Sequence, residues 1–407
     1  MSNPAREFAE EVVRRLRAAG FAALWAGGCV RDELLGRVPK DYDVATEARP
    51  DEVTELFGRR RTIGVGKSFG VMIVLGPRGG GQIDVATFRR DAAYSDGRHP
   101  DAVAFSNAEE DARRRDFTIN GLFYDPLADE IIDYVDGQRD IERRVVRTIG
   151  NADDRFGEDK LRLLRAVRFA AGLDFALEEG TKAALTRLAD QITVVSRERI
   201  AQELRTMLGG PSRAVAARLL RETGLLAALF PGLSHDRPND DWEARFDILQ
   251  RLEGDRFCAA LAVLFSGSDG KQAAEICREL RLTGKETQRV RRLVEGRGSL
   301  GGAAQQPWSK LQRLLIRDEA DDLVAVCAAE SDPEANDDAA FCRAKLAQPD
   351  DMLNPPPLLT GNDLNALGLA PGAIFKTLLE QVRDEQLEGR ISDRQQALEL
   401  VERLLAE

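Results

Sequence analysis

The sequence predicts an α+β head, a small mixed β-sheet with helices, followed by an all-α neck, body and tail. Three observations carry this. Through residue 150, short apolar runs bounded by Gly or Pro alternate with helical patterns. From about Phe156 helical periodicity dominates and strand signals almost vanish. A length of 407 residues, at roughly 100–200 per domain, suggests two to four domains.

A helix with Phe8, Val12, Val13 and Leu16 on one face leads into the apolar run Phe21 to Ala26. Further strands are expected at Asp41–Val44, Val71–Leu75, Gln82–Phe88 and Ile131–Val135. Beyond Gly150, Leu161, Leu164, Val167 and Ala171 mark one helix face, and helical patterns recur at 180–190, 197–208 and 213–229. Pro231 and the polar stretch 234–241 interrupt, and helical texture resumes from Trp242 to about Ala329. The acidic segment Ser331 to Asp338 and the run Pro355–Pro357 read as junctions. A last helical piece ends in Arg394–Leu405. The expected divisions are 1–150, 151–210, 211–335 and 336–407, with no internal repeat.

Composition narrows the functions. No apolar run approaches the ~18 residues of a membrane span, and Glu7, Glu10 and Glu11 stand where a signal or transit peptide would be apolar or basic. Five scattered cysteines without a CxxC pair argue against a disulfide framework or zinc site and fit a cytoplasmic protein. Two histidines, His99 and His235, cannot make a His-rich metal centre. Lys and Arg total 58 against 69 Asp and Glu, a net charge of −11 that taken alone argues against a nucleic-acid partner. Yet 49 of the cations are Arg, whose planar fork matches phosphates and base edges. A GC-rich genome accounts for the bias equally well, so position has to decide.

Gly66-Lys67-Ser68 looks like the end of a phosphate-binding loop, but that motif needs Gly where Arg61 stands, and a strand follows where a helix should open. Four other segments carry chemistry. Gly27-Gly28-Cys29-Val30-Arg31-Asp32 joins a strand to a helix, which suits an anion but is also a common turn. Asp41-Tyr42-Asp43 places two carboxylates on one strand face, either a Mg²⁺ site or an exposed acidic turn, with Asp84 a candidate third. Asp111 to Asn120 contains Arg113-Arg114-Arg115, a solvated face or a holder of triphosphate or ribose. Asp159, Arg162, Arg165 and Arg168 step by three along an expected helix, and Asp159–Arg162 fits a salt bridge across i,i+3. The same pair fits a base reader. C and A both present an amino donor beside a ring-nitrogen acceptor, matching a carboxylate and a guanidinium. U and G present the opposite polarity, and mispaired buried groups reject strongly.

In this order the four segments resemble the class II tRNA nucleotidyltransferases and bacterial poly(A) polymerases, within the polymerase-β-like nucleotidyltransferase superfamily. Gly27-Gly28 with Arg31-Asp32 and Asp41/Asp43 resembles the first motif, Arg114 to Asn120 the second, and Asp133-Tyr134-Val135-Asp136-Gly137 with Asp140 and Arg147 the third. Glu158-Asp159 with Arg162 and Arg165 resembles the fourth, and Ser196 to Ile200 suggests a fifth. The likeness covers about 22–210 and returns at Leu358–Leu405, while 235–350 match poorly. Ala112 and Gly121 depart from the family's usual Leu and Ala.

The resemblance implies a nucleotidyltransferase fold with a catalytic head, a base-reading neck, a body and an RNA-binding tail. Gly28 and Arg31 would contact the incoming nucleotide, Asp41 and Asp43 would hold Mg²⁺, and Arg115, Asp159, Arg162, Arg165 and Arg168 would bind NTP. The implied reaction is attack of a tRNA 3′-hydroxyl on CTP or ATP with release of pyrophosphate, with no DNA or membrane partner. The two histidines exclude the C-terminal phosphohydrolase domain of some relatives. Thr87–Val103, with Tyr94 to Pro100, resembles the loop by which full CCA enzymes switch from C to A, and Ile63 to Val71 looks like the CCA type. CCA addition is therefore expected ahead of A-only or poly(A) addition, with CC-only addition disfavoured. A non-catalytic RNA-binding protein on a dead nucleotidyltransferase scaffold is the contrasting class. The cluster Arg289, Arg291 and Arg292 is a candidate RNA contact or a solvated face.

Overall fold

Asn3 starts the first helix by accepting the amides of Ala5 and Arg6 on its side chain, and α1 (Pro4–Ala18) buries Phe8, Val12, Val13 and Leu16. The computed structural model describes residues 3–66, 70–77, 81–91, 103–233, 241–331, 337–370 and 372–406. Both histidines, Lys67 to Phe69, Tyr94 to Pro100 and most of the expected junctions at 234–241 and 331–338 lie outside the described residues.

The head strands are β1 (Ala23–Ala26), β2 (Asp43–Thr46), β3 (Thr62–Gly66), β4 (Val71–Leu75), β5 (Gln82–Thr87), β6 (Arg89–Asp91), β7 (Val103–Phe105), β8 (Leu122–Asp125) and β9 (Glu130–Asp133). Seven form one sheet in the order β3-β4-β5-β2-β1-β8-β9. β2 and β5 run parallel and every other neighbouring pair antiparallel, the expected mixed sheet. Leu24, Ala26, Ala45, Phe88, Ala112 and Phe123 form a buried cluster, so Ala112 is a core residue. On the other side Trp25 packs edge-on to Tyr42, with ring centroids 4.9 Å apart. β3 and β4 pair antiparallel around Gly66, and no phosphate-binding helix opens at Val71.

Helices α2 (Gly28–Leu34), α3 (Pro50–Phe57), α4 (Ala108–Arg113) and α5 (Gly137–Glu142) punctuate the head. Then follow α6 (Ala152–Glu158), α7 (Leu161–Leu173), α8 (Glu179–Leu188), α9 (Arg197–Gly209), α10 (Arg213–Glu222) and α11 (Leu225–Leu229). The expected strand at Asp41 starts instead at Asp43, and the strands at 62–66 and 122–125 lacked a clear apolar alternation. A methyl on Gly121 would lie 2.7 Å from a Val135 methyl and 3.1 Å from Ile149, which fill the space an Ala would need.

The chain divides into two compact units, residues 1–207 with 215–231, and residues 208–214 with 232–407. The second is helical: α12 (Trp242–Arg251), α13 (Phe257–Leu264), α14 (Gly270–Glu279), α15 (Gly284–Gly296), α16 (Trp308–Leu315) and α17 (Ala320–Glu330) come first. They are followed by α18 (Asp337–Leu346), α19 (Asp350–Leu353), α20 (Gly361–Ala366), α21 (Ala373–Leu387) and α22 (Arg394–Ala406). Arg289, Arg291 and Arg292 are paired there with Asp322, Glu295 and Glu319. Among the described residues no helix is long and apolar enough to cross a membrane.

Arg213 staples the second unit. It is 1% exposed, and its guanidinium donates to the carbonyls of Leu208, Gly209, Leu252 and Gly254, at the C-terminal ends of α9 and α12. A cation there complements the helix dipoles and satisfies carbonyls left over at the helix ends, sharing that of Gly209 with the Arg256 amide. Burial holds the Arg213 pKa below its ordinary value. Replacing Arg213 with Met strands several buried carbonyls, each worth about 1–3 kcal/mol. The expected loss is roughly 3 kcal/mol or more in urea or thermal unfolding; an unchanged transition would contradict this role.

Candidate active site

The head, the stretch from Asp159 to Phe169 and Arg199 of α9 together line a cleft of about 510 Å³. Strand β1 ends at Gly27, whose φ of +75° lets the chain reverse into α2 while its amide donates to the Leu122 carbonyl at 2.9 Å. A side chain on Gly27 would also meet the Arg115 guanidinium at 2.8 Å. The turn delivers Arg31, 8% exposed, into the cleft wall. Its Nη1 donates to Asn120 Oδ1 at 2.6 Å, and its Nε and Nη2 donate to Asp32 at 2.9 and 2.7 Å.

The second segment is organised by buried carboxylates. Asn107 caps α4, and the buried Asp111 at the end of that helix receives Arg114 on one oxygen and Arg115 on the other, at 2.7 and 2.9 Å. The Arg run is therefore split: Arg113 pairs with Glu109 at the surface, while Arg114 and Arg115 are held inward. Asp116 accepts the Phe117 amide and the Asn120 side chain on one oxygen and Arg165 on the other, the last at 2.5 Å. Burial pushes the Asp116 pKa up, but Arg165 and the Asn120 hydrogen bond overcome it and hold it at about 2. The third segment works from behind. Asp133 caps the Val135–Gln138 turn, and buried Asp140 accepts from Thr118 Oγ1 at 2.7 Å and from Arg147 at 3.1 Å.

The fourth segment differs from its expected form. Asp159 is not on a helix: α6 ends at Glu158, Asp159 is extended at φ −141° and ψ 107°, and α7 begins at Leu161. Nor do Asp159 and Arg162 pair with each other. The Asp159 carboxylate accepts Arg199 Nη2 at 2.7 Å and Nη1 at 3.3 Å. Arg162 pairs with Glu158 at 2.5 Å and donates to the carbonyls of Arg155 and Arg114 at 2.9 and 3.3 Å. The break between helices turns Asp159 toward α9 and leaves Glu158, the last residue of α6, to take Arg162.

Gly28, Arg31, Asp43, Arg115, Asp159, Arg162 and Arg165 thus share one cleft. Gly27, Arg114, Asp116, Asn120, Leu161, Phe169 and Arg199 join them. Arg168 does not line it; its Nε lies 3.1 Å from Glu203, whose pKa burial raises. Of the unexpected members, Arg199 belongs to the faintly matching fifth motif. Phe169 carried no signal beyond its place one helical stripe from Arg162.

Asp41 sits on the exposed turn before β2, separated from Asp43 by the inward Tyr42, whose hydroxyl donates to Glu33 at 2.8 Å. Register places Asp84 of β5 directly opposite Asp43. Desolvation at the cleft wall, then the charges of Asp84 and Asp41, push the Asp43 pKa up to about 6 against the pull of Arg115. Asp84 is raised by desolvation and by Asp41. Carboxylates that repel in this way fit a cation. Among the described residues no three His, Cys, Asp or Glu form a preformed metal cage. The arrangement instead matches an ion held by one or two carboxylates plus substrate phosphates, and nucleotidyltransferases generally use a divalent metal.

Comparison with known proteins places the chain. Residues 23–147 match the Poly A polymerase head domain, and 174–236 match the probable RNA and SrmB-binding site of polymerase A. A CCA-adding enzyme of Bacillus velezensis is 37% identical over 284 residues, 70% of each chain. The chain belongs to the CCA-adding enzyme family. A Geobacillus kaustophilus member is 45% identical over 232 residues, 57% of this chain and 56% of that one, so the alignment spans about half the length of such relatives. The crystal structure of the Bacillus stearothermophilus CCA-adding enzyme in complex with CTP superposes with a TM-score of 0.78 at 28% identity, covering 100% of this chain and 99% of that one. A Thermotoga maritima CCA-adding enzyme complexed with tRNA shares the fold at a TM-score of 0.70 and 23% identity, over 100% and 96% of the two chains.

Asp116 gives this site a pH signature. Its folded pKa of about 2 lies below the ordinary value of 3.8. Its ionised form therefore stabilises the fold above about pH 4, and that contribution fades as pH falls toward 2. Asp116→Asn should cost about 2–3 kcal/mol at pH 7 and converge on wild type near pH 2 in denaturant titrations. A pH-independent difference would contradict the ion pair.

Proposed function

We propose that this protein adds C and A nucleotides to the 3′ end of tRNA, using CTP and ATP, without a nucleic-acid template. The observation that supports this most is the separation of Asp159 from Arg162. Both line the cleft, and each is held by a different partner, so neither neutralises the other. Held by Arg199, the Asp159 carboxylate is positioned to accept from an exocyclic amino group. Held by Glu158 and two carbonyls, Arg162 is positioned to donate to a ring nitrogen. C and A satisfy both; U and G present the reverse.

Gly28 and Arg31 contact the incoming nucleotide in this reading, and Arg115, Arg165 and Arg168 supply charge toward its triphosphate. Asp41 and Asp43 would hold Mg²⁺, and such an ion, when bound, would supply acidification of the attacking 3′-hydroxyl and stabilisation of the departing oxygens. The remaining contribution of the chain is positioning and fixed charge. Residues 1–150 act as the catalytic head, 151–210 as the base-reading neck, 211–335 as the body and 336–407 as the RNA-binding tail. The protein works in the cytoplasm, with tRNA rather than DNA or membrane as its partner. The names of its relatives as CCA-adding enzymes favour CCA addition over poly(A) addition.

Purified protein, Mg²⁺ and labelled CTP or ATP should extend tRNA ending at the discriminator base by CCA, and tRNA ending in CC by A. No incorporation on any RNA would end the enzymatic reading, and long A tails on unrelated RNA would end the CCA reading. Asp41→Ala and Asp43→Ala should each remove activity while the circular dichroism spectrum stays that of wild type; persistence of activity would refute the metal assignment. Arg162→Ala should lower the CTP-over-UTP ratio of kcat/KM by roughly tenfold or more, the worth of one buried hydrogen bond to a charged group. An unchanged ratio would sink the base-reading assignment.

A further inference from the structure

Phe169 is the meeting point of three arginines. The guanidinium carbons of Arg31, Arg165 and Arg168 lie 5.3, 5.3 and 4.5 Å from the centre of its ring. They come from two elements, α2 and α7, and the ring is common to all three. Phe169 follows Arg162 and Arg165 at helical spacing, lines the cleft with them, and is half-buried. Its edge is braced by the fully buried Phe117, with centroids 5.7 Å apart and planes at 74°.

A carboxylate that gathered three guanidinium groups would neutralise one of them. An aromatic face attracts cations through its quadrupole and leaves their charge intact. The carboxylates nearby already have partners: Asp32 pairs with Arg31, Asp116 with Arg165, and Glu203 with Arg168 at 3.1 Å and more distantly with Arg165 at 4.0 Å. The Arg168–Glu203 contact is itself incomplete, since neither Arg168 Nε nor Glu203 Oε2 makes a well-formed hydrogen bond. The ring at 4.5 Å is thus a second constraint on Arg168, and it links that residue, outside the cleft lining, to two that line it.

We propose that Phe169 is a positioning residue that sets the arginine cluster for a polyphosphate, acting through cation–π contact with Arg31, Arg165 and Arg168 and taking no part in base choice. That the polyphosphate belongs to CTP or ATP rests on the nucleotidyltransferase reading; the clustering itself does not. Neither Asp159 nor Arg162 makes a ring contact with Phe169 among the described contacts.

The test uses the full chain and two readouts. Calorimetry with inorganic tripolyphosphate should show Phe169→Leu binding about tenfold more weakly than wild type, with Phe169→Tyr and Phe169→Trp close to wild type. Steady-state incorporation should show Phe169→Leu raising KM for both CTP and ATP by a similar factor, with the CTP-over-UTP ratio unchanged. Equal tripolyphosphate affinity in wild type and Phe169→Leu would overturn the proposal. So would an equal loss in the Leu, Tyr and Trp variants, because that would mean shape, not the aromatic face, is what counts. A folded Phe169→Leu protein with an altered CTP-over-UTP ratio would overturn the separation from base choice. If wild type binds tripolyphosphate in this pattern but incorporates no nucleotide, the proposal stands and the functional reading falls.

Discussion

The site depends on a chain of polar contacts that runs from helix α7 into the head. Arg165 grips Asp116, Asp116 accepts the Asn120 amide, Asn120 accepts Arg31, and Arg31 grips Asp32. Three separate stretches of sequence are joined by it, and each member is buried or half-buried. Low local dielectric makes such a chain strong when complete and costly when broken. The head sheet supplies the turn at Gly27 and the acidic edge at Asp43. This network, together with the Arg162 bond to the Arg114 carbonyl, ties the cations of α7 to the head.

The same network explains how an acidic protein can present a basic site. The net charge of −11 is an average over the molecule, while Arg31, Arg114, Arg115, Arg162, Arg165 and Arg199 converge on a single cleft. Packing guanidinium groups this closely requires partners, and the structure supplies backbone carbonyls, carboxylates and aromatic rings. Buried carboxylates such as Asp111 and Asp116 fix orientation, and the aromatic faces of Phe123 and Phe169 do so without removing charge. Arg rather than Lys suits these cleft positions, because the planar fork can serve a carboxylate, a carbonyl and a ring at once. Binding of an anionic substrate to such a cleft weakens with salt.

Much of this was legible in the residues. The helical periodicity after Phe156 and the strands at 71–75 and 82–87 follow from apolar spacing alone, and motif order placed seven of the expected site residues in one cleft. In the fourth segment the helical placement of Asp159 and the alternative of an i,i+3 salt bridge fail, because the geometry there is tertiary. A spacing of three suggested an Asp159–Arg162 pair, but the chain breaks between α6 and α7, and Arg199, 40 positions away, takes the carboxylate. Spacing on a helix reveals neighbours only while the helix continues. Phe169 escaped for a similar reason: its meaning lies in Arg31, which is distant in sequence. Gly121 shows the converse, a local departure from family habit that Val135 and Ile149 make necessary.

The central claim is that protein side chains read the amino edge of C and A. Calorimetric titration of the Mg²⁺-loaded protein with CTP, and with the analogue in which hydrogen replaces the 4-amino group, tests it most directly. The analogue should bind roughly tenfold or more weakly, the cost of leaving a charged acceptor without its donor. Equal affinity for the two nucleotides would contradict it.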